Sequence, residues 1–71
     1  MPKLENVNSS SIKAIGYDKK NRGLYVLFRA SGELYIYYDV DEKTYGEFRM
    51  APSKGAFLNA RIRDQYRFEK R

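Results

Sequence analysis

Neither cysteine nor histidine occurs among the 71 residues of this chain. Their absence removes disulfides, thiolate chemistry, the structural zinc sites that need these ligands, and imidazole acid–base catalysis. No apolar run approaches the roughly 20 residues a helix needs to cross a bilayer, and the opening MPKLENVNSSS lacks the apolar stretch of a signal peptide. A soluble, cytoplasmic protein without a membrane partner is expected, and nothing in the chain asks for a cofactor. A chain of this length makes one small domain, too short for a cleft walled by several layers. Residues 1–8, polar apart from Leu4 and Val7, are expected to form a flexible N-terminus ahead of a single domain over residues 9–71. Without covalent staples, stability has to come from packed aromatics, and seven Tyr and four Phe supply them.

The stretch LYVLFRASGELYIYY, from Leu24 to Tyr38, is where apolar and aromatic residues recur at a spacing of two on both sides of a turn signal. It predicts a β-hairpin about Ser31-Gly32, since glycine tolerates positive φ. With that pair as a two-residue turn, Phe28 opposes Tyr35 and Val26 opposes Tyr37. One face then carries Leu24, Val26, Phe28, Tyr35 and Tyr37. The other carries Tyr25, Leu27, Arg29, Leu34, Ile36 and Tyr38. Both are apolar, so the second is either covered by the chain's own helices or presented to a partner.

Upstream, IKAIGY predicts a strand with Ile15, Tyr17 and Lys13 on one face and Ile12 and Ala14 on the other. Gly16 suits a bulge or the close approach of a neighbouring backbone. Downstream, Asp41 is placed to cap a helix over residues 42–50, with Glu42 adding favourable charge in the first turn and Tyr45 and Phe48 facing the sheet. Pro52 ends that helix, and Ser53 can cap a second over residues 54–66, whose Leu58, Ile62 and Tyr66 recur every four residues. Phe68 fits either a continued helix or a short extended piece, so the pattern leaves residues 67–71 open. The expectation is an α+β domain in two layers: a three-stranded antiparallel meander over residues 12–38 and two helices packed on it, in the order β-β-β-α-α.

The charge is placed unevenly. Residues 1–48 hold seven basic and seven acidic side chains, and residues 49–71 hold seven basic and two acidic, so the net charge of +5 belongs to the C-terminal third. Such asymmetry points to an anionic partner or to the needs of solubility.

The residues Ser10, Ser11 and Ile12, then Ile15-Gly16-Tyr17-Asp18, Leu24, Val26 and Phe28, continue the pattern into Gly32, Tyr35-Ile36-Tyr37 and Val40. Ala51, Ser53-Lys54-Gly55, Phe57, Asn59, Ile62-Arg63 and Tyr66 complete it. Together they resemble the KTSC domain, a family found at the C-terminus of some lysyl-tRNA synthetases and as small free-standing bacterial and phage proteins. The likeness runs from about Val7 to Phe68. One departure is Asp41, where the family usually has proline after the valine that follows the third strand. The resemblance implies no enzymatic activity and lends no catalytic residue. It implies RNA binding and, by analogy with some phage-borne relatives, action on a transcription apparatus.

A small non-enzymatic binding module is therefore expected. In one reading it binds RNA through the basic face of the last helix, with Lys54, Arg61, Arg63, Arg67, Lys70 and Arg71 neutralising phosphates. In the other it is a protein-interaction module that regulates a larger nucleic-acid machine, through an acidic protein surface or a homodimer contact. Tyr25, Arg29 and Tyr38 form a candidate stacking or partner face. Ser53-Lys54-Gly55 either receives a phosphate at a helix start or caps the helix and lets it lie close to the sheet. Tyr17, Val26, Phe28, Tyr35, Tyr37, Phe57, Ile62 and Tyr66 are read as structural. Asp39, Asp41 and Glu42 are explained by capping and give no metal site.

Overall fold

The computed structural model describes residues 2–71. The elements run in the order β1 (Glu5–Asn6), β2 (Ile12–Asp18), β3 (Gly23–Phe28), β4 (Leu34–Tyr37), α1 (Glu42–Met50), α2 (Lys54–Phe57), a π-helical turn (Leu58–Ile62) and β5 (Phe68–Lys70). The sheet has five strands in the order β1-β2-β3-β4-β5, every neighbouring pair antiparallel. This corrects the expected three-stranded meander: one strand is added at each edge. The α+β class with helices on one face stands. β1 escapes a reading by alternation because it is two exposed polar residues. β5 is three exposed residues with a single aromatic, too short for a period to declare itself.

The β3–β4 hairpin keeps the expected faces but not the expected register. Val26 opposes Tyr35 and Leu24 opposes Tyr37, a slip of two residues from the pairing a Ser31-Gly32 turn would impose. Residues 29–32 form the loop instead. Phe28 N–H donates to the Glu33 carbonyl at 3.0 Å, Gly32 N–H donates to the Phe28 carbonyl at 3.1 Å, and Gly32 takes φ +71°. An even slip returns every side chain to its own face, which is why the apolar set survived the error.

In β2 the expected faces fail at one point. Ile12 opposes Phe28 while Ala14 opposes Leu27, so Lys13 is an extra residue in a bulge. The bulge turns Ile12 to the same side as Ile15, and both are buried in the core. Gly16 serves the other role offered for it: a Cβ there would lie 2.7 Å from Leu4 Cδ2 and 2.9 Å from the Lys3 carbonyl oxygen. The segment leading into β1 packs directly on the β2 backbone.

α1 occupies its expected span. The Asp41 carboxylate accepts from Thr44 N–H at 2.8 Å, so a free first-turn donor finds its partner. Ser53 caps α2 by accepting from Ala56 N–H at 3.2 Å. The last helix ends earlier than residue 66. After Phe57 the chain widens, Arg63 N–H donates to the Leu58 carbonyl at 2.8 Å, and residues 63–66 turn toward β5. Tyr66 still packs against the core, from a turn rather than a helix.

Ile12, Ile15, Leu24, Val26, Tyr37, Val40, Phe48, Leu58 and Ile62 form the core between sheet and helices. Tyr17, Phe28, Tyr35, Phe57 and Tyr66 are partly buried around it. Tyr17 stacks on Tyr45 at 4.8 Å between ring centroids, and its hydroxyl donates to the Val40 carbonyl at 2.6 Å. Such a ring supplies apolar area while its polar end keeps a partner.

Candidate nucleic-acid interface

The six C-terminal cations do not form one strip. Lys54 Nζ donates to the Ala51 carbonyl at 2.9 Å, which directs it back onto the end of α1. Arg61 pairs with Glu47 at 2.9 Å and lies over the Phe57 ring at 5.0 Å. Arg63 donates to the Asn59 side-chain oxygen Oδ1 at 3.3 Å and has no carboxylate partner among the described residues. β5 carries the remainder to the sheet edge. Lys70 pairs there with Glu33 at 3.1 Å, on the helix side of the sheet.

Alternation along β5 separates Arg67, Glu69 and Arg71 from Phe68 and Lys70. Phe68 opposes Tyr37 on the core side, whereas Glu69 opposes Ile36, which opposes Tyr25. The face without helices thus carries Tyr25, Leu27, Leu34, Ile36 and Tyr38, bounded by Arg67, Glu69 and Arg71. Tyr25, Leu27, Leu34 and Tyr38 remain partly accessible. Arg67 places its guanidinium over the Tyr38 ring, 5.6 Å from its centroid. The Tyr38 hydroxyl donates to Glu69, which also accepts from Arg71 Nε at 2.9 Å. Those hydrogen bonds, from Tyr38 first and Arg71 second, hold the Glu69 carboxyl below its ordinary range. The same bond to Glu69 is the main reason the Tyr38 phenol is pushed above its ordinary value. Glu69 is a hub that the sequence alone did not single out. Its signal was the alternation of Arg67, Glu69 and Arg71.

Arg29 is not part of this face. Its guanidinium donates to the carbonyls of Ser9 at 3.1 Å, Val7 at 3.4 Å and Ile12 at 3.4 Å, pinning the β3–β4 loop to the chain ahead of β2. Ser53-Lys54-Gly55 is occupied as well. Ser53 caps, Lys54 is tied to Ala51, and a Cβ at Gly55 would lie 2.8 Å from Ser11 Oγ, so the helix start sits close against the approach to β2. Among the described residues no cluster of three or more acidic side chains could hold a metal ion. No helix among them is long and apolar enough to cross a membrane.

The fold is a small single-sheet module with helices on one side and a tyrosine-bearing face on the other. A profile of the KTSC domain matches residues 8–66, and the chain belongs to that family. The crystal structure of a KTSC domain protein from Yersinia pestis superposes with a TM-score of 0.95 at 37% identity, covering 100% of this chain and 99% of that one. A protein of Tsukamurella paurometabola is 33% identical over 64 residues, spanning 90% of this chain and 94% of its own. Fold and family together make the chain a small KTSC-fold module.

Proposed function

We propose that the helix-free sheet face binds single-stranded RNA weakly and with little sequence preference. The observation that carries this reading is the placement of Arg67 over Tyr38 on an otherwise apolar face beside Tyr25. Bases stack on exposed aromatic rings whatever their identity, and a guanidinium at the rim meets the phosphates between them. Arg71 extends the positive edge, and its ion pair with Glu69 is exposed. Exposed pairs contribute little on their own and are exchangeable for phosphate. The helix-face cations Lys54 and Arg61 support the reading less, because one is tied to a backbone carbonyl and the other to Glu47.

With about two phosphates neutralised, log K should fall against log[salt] with a slope of roughly 1.4 for single strands. Fluorescence anisotropy with mixed RNA oligonucleotides in about 50 mM salt measures it. Replacing Arg67 and Arg71 by alanine should remove most of that slope, while Tyr25→Ala should weaken binding with the slope unchanged. Arg61→Ala should leave both alone. No anisotropy change at protein concentrations of tens of micromolar would exclude RNA and transfer the face to a protein partner.

A further inference from the structure

A second concave site lies on the opposite side of the sheet, at the edge the helices leave uncovered. It is a groove of about 430 Å³ between the approach to β2, the β3–β4 loop, β4 and the turn after the π-helical segment. Phe28 and Tyr35 form its wall, meeting edge to face at 5.1 Å. Ser10 and Ser11 line one side and Arg63 another.

Tyr37 also lines the groove, and it is only 1% exposed. The phenols of Tyr17 and Tyr38 both have protein acceptors. The Tyr37 hydroxyl has none among the described residues, yet no fully enclosed side-chain oxygen or nitrogen lacks a partner. Its hydroxyl is therefore the part of Tyr37 that opens to the groove. Opening to the groove leaves the bond that this phenol needs to be made by solvent or by a ligand. Burial pushes the Tyr37 phenol above its ordinary value, and the nearby Arg63 guanidinium partly offsets that push. The acid lining the groove, Glu33, is engaged by Lys70 at 3.1 Å.

We propose that this groove is a small-molecule site for a ligand with one anionic group on a flat apolar body, such as a nucleoside monophosphate or an aromatic carboxylate. The anion lies between Arg63 and the Tyr37 hydroxyl, where the seryl hydroxyls add donors, and the flat body lies against Phe28 and Tyr35. The groove has the size of ordinary small-ligand pockets, mostly apolar with a few convergent polar groups. The Arg63 guanidinium, which also donates to the Asn59 side-chain oxygen at 3.3 Å, and the Tyr37 phenol both line the groove, and such donors are suited to carboxylate or phosphate oxygens through charge-assisted hydrogen bonds. The site is independent of RNA binding on the far face, and either can fail without the other.

The test is a two-dimensional NMR titration of the intact protein with adenosine 5′-monophosphate and, separately, indole-3-acetate. Adenosine serves as the uncharged control. At least one anion should saturate with a Kd below about 1 mM, with shifts confined to residues 10–11, 28–37 and 63. The phosphate and carboxylate arms then tell which head group the site prefers, and adenosine should bind at least about tenfold more weakly. Tyr37→Phe keeps the ring in the core and removes only the hydroxyl. Tyr37→Phe and Arg63→Gln should each weaken the preferred anion by about tenfold or more, since a hydrogen bond to a charged group is lost. Failure of both anions to saturate at this level would overturn the proposal. So would affinities unchanged in both variants, or shifts that map elsewhere.

Discussion

Tyr37 and Phe68 stand opposite one another across the β4–β5 ladder, ring centroids 5.8 Å apart, though one is 1% and the other 52% exposed. Phe68 also stacks on Tyr35 at 5.4 Å, so the last strand is fastened through aromatic contacts as well as backbone bonds. The difference in burial sets the ranking of their alanine variants. Tyr37→Ala should destabilise by roughly 3 to 5 kcal/mol, the range for a fully buried aromatic. Phe68→Ala, which removes a half-exposed ring, should cost about 1 to 2 kcal/mol. Urea denaturation of both proteins measures this, and equal midpoints would contradict the assigned burial.

Two glycines inside regular elements should respond to alanine with opposite signs. At Gly46, on α1, nothing lies within 4 Å of where a Cβ would sit, so Gly46→Ala should stabilise by about 1 kcal/mol through helix propensity. In a domain of this size that is a rise in Tm of about 4 to 8 °C. At Gly16 a methyl would press on the Lys3 carbonyl oxygen at 2.9 Å, and backbone does not yield as a side-chain end does. Gly16→Ala should lower Tm and loosen β1, visible as faster amide exchange at Val7, whose N–H donates to Lys13 O at 3.0 Å.

The contrast between those glycines also shows what a chain read alone discloses. Leu24 to Tyr38 announced its two faces because alternation is a local property that survives a register slip of two. Asp41 announced α1 because capping acts within one turn. Glu5-Asn6 and Phe68–Lys70 are strands only because longer strands offer them edges, and a pair of polar residues carries no period. Lys13 became a bulge to bring Ile12 and Ile15 to one face, a tertiary demand with no mark of its own. The cations of the C-terminal third were legible as a group. Their individual fates were not, because Glu47, Glu33 and Glu69 reach them through the fold. Arg29 shows this most plainly, since it joined a stacking face by alternation and in the structure holds carbonyls around the approach to β2.

Three carboxyls make stability fall in acid. Asp18 is held below its ordinary value of 3.8 by hydrogen bonds from Asn21, Asp41 below 3.8 by those from Thr44, and Glu69 below 4.5 by those from Tyr38 and Arg71. A folded-state value depressed below the unfolded one gives stability that is complete above the unfolded value and lost as pH falls through the folded one. Urea midpoints should therefore be level from neutrality to about pH 5 and decline below about pH 4. Asp41→Asn, which keeps a capping oxygen without its charge, should make the decline shallower. A decline of wild-type steepness in this variant would remove Asp41 from the acid-sensitive set.

At the alkaline end the tyrosines reverse the sign. Burial pushes the phenols of Tyr17, Tyr37 and Tyr45 above the ordinary value of 10.0, and the bond to Glu69 does the same for Tyr38. Each is more readily ionised in the unfolded chain, so the stability they lend is complete below pH 10.0 and is lost as pH rises through the folded values. Tyr17 and Tyr45 ionise least independently, because their rings stack at 4.8 Å and Tyr17 would also surrender its bond to the Val40 carbonyl. Tyrosinate absorbance should therefore rise in two stages: an early one from accessible phenols and a later one that coincides with loss of near-ultraviolet circular dichroism. In Tyr17→Phe the cooperative stage should shift to higher pH, since one buried phenol no longer favours the unfolded, ionised chain. A single smooth titration, without any accompanying loss of tertiary signal, would mean that these rings are reached by hydroxide in the folded protein and that the core described around them is open.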